Sequence, residues 1–226
     1  SRTVPFVAKS SGLPLARIAA NITIGIPLAQ QRIPLRTSGN VCVKAPVFPF
    51  IKLRGLDPAP GPEMKSTGEV YGSHQNADIA YLKARLATEV PVASGGGVYL
   101  TVRDDDKANL VPIARQLRDL GFSLYATPGT ADILRVNSVP VEVVYRITER
   151  MHPDALDIMR QGKISFIVNV PTISGGAVRD GNMMRRLAVE LNIPFVTTIR
   201  GAAMEVAAIA ALMKGEMEPV RLKVNY

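Results

Sequence analysis

Apolar runs and amphipathic segments alternate along the second part of the chain, from Gly97 onward. The runs are continuously apolar, as in strands covered on both faces, and the segments between them repeat apolar residues at three- and four-residue steps. Strand and helix therefore alternate five times over short connections, which predicts an α/β fold with a five-stranded parallel doubly wound sheet. The predicted strands are VYLTVR, FSLYAT, VPVEVVYRI, ISFIVNV and PFVTT.

The segment DDDKANLVPIARQLRDLG shows the helical pattern clearly. Its aspartates come first, where the positive end of a helix favours negative charge. Leu110, Ile113, Ala114 and Leu117 recur on one face, so we expect them to be buried. Gly121 supplies a C-terminal stop.

The first part of the chain is rich in proline and turns. The stretch LDPAPGPEMKSTGEVYG excludes a single helix or a central strand, because its prolines lack backbone donors. The segment LPLARIAANITIG predicts one short helix that ends at Gly25, and VCVKAPVFPFIKL predicts one or two extended segments. We expect an α+β unit at residues 1–93, a flexible boundary at ASGGG, and the sheet domain at residues 94–226.

The segment NADIAYLKARLATEV, just before that boundary, predicts an amphipathic helix. Ile79, Leu82, Leu86 and Val90 recur at helical steps, and Asn76 is a suitable N-cap.

Composition narrows the function classes. The chain has 226 residues and a formal net charge of +8, but its basic residues are scattered singly and it has no Trp. We therefore expect a small anionic metabolite as partner, and neither nucleic acid nor a membrane.

The single cysteine, Cys42, excludes a disulfide framework, and His74 and His152 add no metal cluster, so a reducing cytoplasm is the expected compartment. The start, SRTVPFVAKS, has neither an initiator Met nor a signal peptide, so we expect a fragment of a longer protein.

The turn ATPGTA is the strongest candidate for chemistry. Thr127 and Thr130 flank a Pro-Gly turn that opens a helix, where free N–H groups and the helix dipole favour an anion. Two hydroxyls and a nearby Lys or Arg would complete a phosphate cradle. The competing interpretation is that Thr127 is only an N-cap and Gly129 only a turn residue.

Polar residues at the other strand ends favour the cradle, because ligands of parallel sheets bind outside the carboxyl ends of the strands. These residues are Arg103 to Lys107, Arg146 and Thr148, Asn169 and Thr172 to Gly176, and Thr197 and Thr198.

Several stretches together resemble the large subunit of carbamoyl-phosphate synthase. SRTVPFVAK, GLPLARIAA and VKAPVFPFIKLRGLDPAPGPEMKSTGEVYG resemble the end of its second ATP-grasp synthetase half. ATPGTA and MRRLAVELNIPFVTT resemble its methylglyoxal-synthase-like regulatory domain. The resemblance covers nearly the whole chain and keeps both parts in order.

The resemblance implies an enzyme that makes carbamoyl phosphate from bicarbonate, ammonia or glutamine, and two ATP. It implies ATP and Mg²⁺ (or Mn²⁺) as cofactors of the full-length enzyme and a small glutamine amidotransferase subunit as partner, alongside the rest of the large subunit. Arg2 matches the last arginine of the synthetase motif and would be catalytic. The metal-holding Glu and Asn of that motif would precede Ser1, so we expect this chain alone to be inactive and to bind no cofactor.

The resemblance also implies an effector site for a nucleotide or another phosphorylated metabolite. Lys107, Thr127 and Thr130 would contact the phosphate, Arg146 stands where a lysine is common, and Asn169 follows the fourth strand. Thr172 and Thr198, at the ends of the last two strands, complete the expected effector-binding set. We expect no metal site there.

Two alternatives remain open. A free-standing methylglyoxal synthase acting on dihydroxyacetone phosphate would need an aspartate base and histidines, for which His152 and Asp180 are the candidates. Neither matches the motif, and we expect both at the surface. The other alternative is a non-catalytic binding or assembly module, because the alanine-rich helix GAAMEVAAIAALMKG suits close packing. This helix could pack against the synthetase body or against a second copy of the chain. We expect the protein to be a homo-oligomer.

Overall fold

The first part of the chain forms a small α+β unit. In this computed structural model, the described residues are 3–33, 39–50, 58, 64–88, 90–171 and 176–217. The unit consists of α1 Thr3–Ser11, α2 Leu15–Thr23, β1 Val41–Val47, β2 Gly68–His74 and α3 Ala77–Leu86. The two strands pair antiparallel, with Val41 opposite His74 and Val47 opposite Gly68, so the extended segment and the short helix predicted here are confirmed.

Helix α3 packs tightly on β2 at Gly72. A Cβ at this position would lie 2.1 Å from the Ala80 carbonyl oxygen and 2.6 Å from the Ala84 nitrogen, so only glycine permits the approach. The predicted cap is also present, because the Asn76 side chain accepts hydrogen bonds from the backbone N–H groups of Asp78 and Ile79, at 2.7 and 3.3 Å.

The apolar stripe of α3 is shorter than the sequence predicts. The helix ends at Leu86, and both Leu86 and Val90 are 41% exposed. The chain turns away because the Thr88 hydroxyl and the Thr88 N–H both donate to the Arg85 carbonyl, at 2.6 and 3.0 Å. The predicted helix therefore ends before Val90, and only Ile79 and Leu82 of its four recurring apolar residues are buried.

A parallel sheet dominates the second part. Its strands are β3 Gly97–Thr101, β4 Ser123–Ala126, β5 Glu142–Val143, β6 Ile164–Asn169 and β7 Phe195–Val196. They lie in the order β5-β4-β3-β6-β7 with all neighbours parallel, which confirms the predicted class. The order reverses between β3 and β6, so a crevice is expected at the carboxyl ends of these two strands.

Helices cover both faces of the sheet. They are α4 Lys107–Asp119, α5 Pro128–Val136, α6 Ala155–Arg160, α7 Gly176–Glu190 and α8 Ile199–Met213. On one face, α4, α5 and α8 pack with alternate strand residues such as Leu100 and Val168. On the other, α6 and α7 pack with Tyr99 and Ile167. The predicted stripe of α4 is buried throughout, with Leu110, Ala114 and Leu117 at 0% exposure and Ile113 at 5%.

The edge strands and the start of α4 differ from the sequence prediction. The run VPVEVVYRI yields only the two residues of β5, and PFVTT only those of β7. Beyond β5 the chain leaves the sheet to form an isolated bridge between Tyr145 and Asp154. The three aspartates before α4 form a separate 3₁₀ turn, Asp104–Asp106.

The alanine-rich helix α8 joins the two parts of the chain. Ala208 and Ala211 pack against Ile79 and Leu82 of α3, while Ala202 and Val206 belong to the sheet core. The close packing expected of these alanines is therefore made within the chain. No helix among the described residues has the length and apolar character needed to cross a membrane.

Candidate functional site

A cavity of about 320 Å³ opens at the carboxyl ends of β3 and β6. Thr101 at the end of β3 and Asn169 at the end of β6 both line it, which puts it at the reversal of strand order. Its volume is at the lower end of the range for small-molecule sites. Loops and helix starts that follow β3, β4, β5 and β6 form its walls.

Two buried hydroxyls form one wall. Thr127 occupies the N-cap position of α5, and Thr130 lies in the first turn; they are 7% and 2% exposed. The Thr127 hydroxyl donates to the Thr130 hydroxyl at 3.2 Å, and within the described part of the chain it makes no capping bond to α5. Helix α5 begins with Pro128, whose fixed φ suits a first helical position. Thr127 therefore occupies the N-cap position without capping α5 through its side chain, and it lines the cavity instead.

A lysine lies against this first turn. Lys107 begins α4, and a Cβ built on Gly129 would lie 3.0 Å from the Lys107 Nζ. The same ammonium is 2.7 Å from the Asp104 carboxylate, which is exposed. The hydrogen bond and charge of Lys107 lower the pKa of Asp104. Since a surface pair of this kind is weak, an anion entering the cavity competes for Lys107 at little cost.

A buried amide marks the end of β6. Asn169 is 5% exposed, and its Oδ1 accepts a hydrogen bond from the Arg185 guanidinium at 2.5 Å. Arg185 is itself 2% exposed and also donates to the Asn182 Oδ1. Gly181 leaves room for this contact, because a Cβ there would lie 2.8 Å from the Arg185 Nη1. The hydrogen bond from Arg185 therefore fixes the orientation of the Asn169 side chain.

A carboxylate completes the wall. Asp180 of α7 lines the cavity, and its Oδ2 accepts a hydrogen bond from the Thr148 hydroxyl at 3.0 Å. Tyr99 of β3 lies on the same wall, where burial, followed by the charge of Asp180, raises the pKa of its hydroxyl above the usual range. Tyr99 therefore stays neutral. The expectation that Asp180 has a surface role was wrong, because α7 turns it toward the cavity.

The structure brings together five of the predicted effector residues. Lys107, Thr127, Thr130, Arg146 and Asn169 all line the cavity.

The three other predicted site residues are not among the described residues that line the cavity. Thr198 is exposed at the N-cap of α8, accepts a hydrogen bond from the Gly201 N–H, and is not among the described residues that line the cavity. Arg2 and Thr172 lie outside the described residues.

Sequence reasoning missed Arg185, and it misplaced Asp180. Both lie within α7 and not at a strand end. A usable signal was the spacing of Asp180, Met184 and Ala188, which puts Asp180 on the buried face of α7 one turn before Met184. Arg185 lies next to that face, at helical distance from Gly181.

His152, Asp154 and Asp157 form a separate polar cluster at the start of α6. Asp154 and Asp157 each accept a backbone N–H of the other, as a capping box, and His152 Nδ1 lies 2.5 Å from Asp157 Oδ2. The bond to Asp157 raises the pKa of His152, while the Asp154 N–H and then His152 lower the pKa of Asp157. These contacts account for the cluster as a helix start. As expected, His152 is exposed.

Comparison with known proteins agrees with this architecture. A family model described as "MGS-like domain" matches residues 109–197. The carbamoyl phosphate synthase large chain, C-terminal section, of Methanocaldococcus jannaschii is 43% identical over 96% of this chain and 37% of its own length. The corresponding section of Methanopyrus kandleri is 44% identical over 92% of this chain and 40% of its own length. The carbamoyl phosphate synthase large chain of Methanoculleus marisnigri is 42% identical over 96% of this chain and 20% of its own length. The chain thus spans well under half of each of these relatives.

Proposed function

This chain is a homologue of the C-terminal section of carbamoyl phosphate synthase large chains and carries an MGS-like domain, and on that premise we propose that its cavity binds a phosphorylated metabolite as a regulatory effector. The proposal concerns a binding site and its ligand class. The chemistry that the ligand controls lies in the preceding part of the large chain.

The observation that carries the proposal is the convergence of phosphate-type donors on one cavity. The hydroxyls of Thr127 and Thr130 lie at the first turn of α5, and the Lys107 ammonium lies against the same turn. Arg103 and Arg146 line the cavity as well. A phosphate group offers several acceptor oxygens and negative charge, which suits hydroxyl donors, an ammonium and the N-terminus of a helix.

The remaining wall suits the rest of such a molecule. Ile147, Val170 and Met184 add apolar surface next to the polar groups. Pockets that combine apolar surface with a few placed polar groups hold small metabolites in defined orientations. A nucleotide, with an anionic end and a flatter apolar end, fits this distribution.

The names of the relatives support a proposal for the wider role. We propose that the large chain to which this section belongs joins bicarbonate, ammonia or glutamine nitrogen and two ATP into carbamoyl phosphate, with Mg²⁺ or Mn²⁺, beside a small amidotransferase subunit. Arg2 would belong to the synthetase site, and Thr172 and Thr198 stay proposed effector residues. Assembly into a homo-oligomer and a cytoplasmic location likewise stay proposals. This section alone is proposed to be inactive, because magnesium-dependent phosphoryl transfer needs carboxylates that hold the metal.

Regulation needs a ligand that prefers one conformation of the whole protein. Helix α8 offers contact between the sheet domain and the preceding unit, because it packs on the sheet core and on α3. We propose domains at residues 1–93 and 94–226, and the contact between α3 and α8 then joins one domain to the other.

A lyase function is the second candidate, and one observation favours testing it. Asp180 lies in the same cavity as the proposed phosphate cradle, where an aspartate base would be needed. His152 does not line the cavity and is hydrogen bonded to Asp157. Incubation of the chain with dihydroxyacetone phosphate discriminates the two, since only a lyase releases methylglyoxal.

Calorimetric titration with uridine and inosine monophosphates tests the effector site. We expect dissociation constants between micromolar and millimolar, roughly 4–8 kcal/mol of binding free energy. Lys107→Ala and Thr130→Val should abolish measurable binding, whereas Thr130→Ser, which keeps the hydroxyl, should retain it. Lys163→Ala is the control, because Lys163 is exposed and precedes β6 at the opposite edge of the sheet. Equal affinity in the Lys107 and Thr130 variants would contradict the proposal.

A further inference from the structure

Asp180 has one buried carboxylate oxygen to which no described residue donates a hydrogen bond. Its Oδ2 accepts hydrogen bonds from the Thr148 hydroxyl and, at 3.4 Å, from the Thr148 N–H. Its Oδ1 is buried and has no hydrogen-bond partner among the described residues. A buried acceptor on a carboxylate is costly to leave unsatisfied, so this oxygen calls for a specific occupant.

A purely structural role for Asp180 accounts for only half of the carboxylate. The bonds from Thr148 fasten the turn after β5 to α7, and they use Oδ2 alone. Burial, and then the nearby charge of Asp180, raise the pKa of the Tyr99 hydroxyl, and this neutral phenol supplies no positive charge to the carboxylate. Since Asp180 lines the cavity, a ligand can reach the carboxylate from there.

We propose that Asp180 Oδ1 accepts a hydrogen bond from a hydroxyl group of the effector, so that the cavity selects a phosphorylated sugar or ribonucleotide over its deoxy counterpart. This inference rests on the proposed function, because it assumes that Lys107, Thr127 and Thr130 hold the phosphate. The two ends of the cavity then bind opposite kinds of hydrogen-bonding group. One end supplies donors to an anion, and the other supplies an acceptor that only a donor-bearing ligand satisfies.

The charge balance favours a hydroxyl as the donor. Lys107, Arg103 and Arg146 line the cavity together with Asp104 and Asp180, so the net positive charge of the cavity is small and a phosphate neutralises it. The Asp180 carboxylate would repel a second anionic group of the ligand, whereas a ligand hydroxyl can donate a hydrogen bond to Oδ1 without adding charge. A site with a buried polar group discriminates against an analogue that lacks the matching group more strongly than an apolar site does.

Titrations with uridine monophosphate, its 2′-deoxy and 3′-deoxy forms, and inorganic phosphate test the inference. With the unaltered chain, at least one deoxy form should bind about tenfold or more weakly than the ribonucleotide. This comparison needs no variant, so it holds whether or not a substitution is tolerated. Equal binding of all three nucleotides would overturn the inference.

Asp180→Asn tests the residue itself. Because Thr148 donates to the Oδ2 position, the amide oxygen should occupy that position and turn the NH₂ group toward the ligand. We expect the preference for the ribonucleotide to weaken, because the NH₂ group can only donate a neutral hydrogen bond to the hydroxyl, while inorganic phosphate binds as before or more tightly. Asp132→Asn, an exposed carboxylate on α5, is the matched control and should keep the preference.

The remaining outcomes separate this inference from the proposed function. If neither phosphate nor nucleotide binds, the effector site itself is refuted, and the inference with it. If nucleotides bind but Asp180→Asn keeps the full preference, only the role of Asp180 is refuted. Tighter binding of 2′-amino-2′-deoxyuridine monophosphate than of the ribonucleotide would show that a nitrogen donor is preferred and would overturn the hydroxyl assignment.

Discussion

Glu205 of α8 and Arg85 of α3 form a two-bonded ion pair that joins the sheet domain to the preceding unit. Arg85 Nε lies 2.7 Å from Glu205 Oε2, and Nη2 lies 3.0 Å from Oε1. The Tyr81 hydroxyl donates to the same carboxylate at 2.9 Å. The Glu205 side chain is 1% exposed, so these partners, and not water, stabilise its buried negative charge.

We predict that Glu205→Ala lowers the free energy of unfolding by about 3–5 kcal/mol, because it leaves Arg85 as an uncompensated, largely buried charge. Urea unfolding followed by circular dichroism measures the change. The double variant Arg85→Met/Glu205→Leu is the control, and it should recover most of the loss because no lone charge remains. A loss below about 1 kcal/mol for Glu205→Ala would contradict this account of the contact.

A second prediction concerns the packing of α3 on β2. Gly72→Ala forces a Cβ against the Ala80 carbonyl, which cannot move without shifting the helix. We expect a loss of at least about 1–3 kcal/mol in unfolding free energy. Gly68→Ala in the same strand is the matched control, because its Cβ would meet only the Val47 Cβ, at 3.9 Å. Similar stability of the two variants would refute the close approach.

A third prediction concerns the helix start at α6. NMR titration should place the pKa of His152 above its usual 6.5, and Asp157→Asn should remove the upward shift, since Asp157 is its main cause. Because the folded pKa is raised, the contribution of His152 to stability is full below about pH 6.5 and is lost as the pH rises through the raised value. The contribution of Asp157, whose pKa is lowered, is present above about pH 3.8 and is lost on acidification. A His152 titration unchanged by Asp157→Asn would contradict the pairing.

The sequence predicts the sheet domain well because its signals are local. The buried face of α4 and the alternation of strands and helices follow directly from apolar spacing. The five cavity residues Lys107, Thr127, Thr130, Arg146 and Asn169 come from counting polar groups at strand ends, and a parallel sheet gathers those ends on one edge.

The sequence predicts the other contacts poorly because they depend on distant residues. Arg85 and Glu205 are 120 positions apart, and neither stands out within its own helix. The local sequence predicts a surface position for Asp180. Only the packing of α7 on the sheet brings Asp180 into contact with Thr148, which belongs to another loop. Strand order and helix docking, which local patterns leave undetermined, decide these contacts.

The measurement that tests the central claim most directly is a calorimetric comparison of uridine monophosphate with uridine on the unaltered chain. If the cradle of Lys107, Thr127 and Thr130 anchors the ligand by its phosphate, the nucleotide binds in the micromolar-to-millimolar range and the nucleoside gives no measurable heat. Added inorganic phosphate should then weaken the binding of the nucleotide by competition. Equal binding of nucleoside and nucleotide, or binding that phosphate does not affect, would contradict a phosphate-anchored effector site.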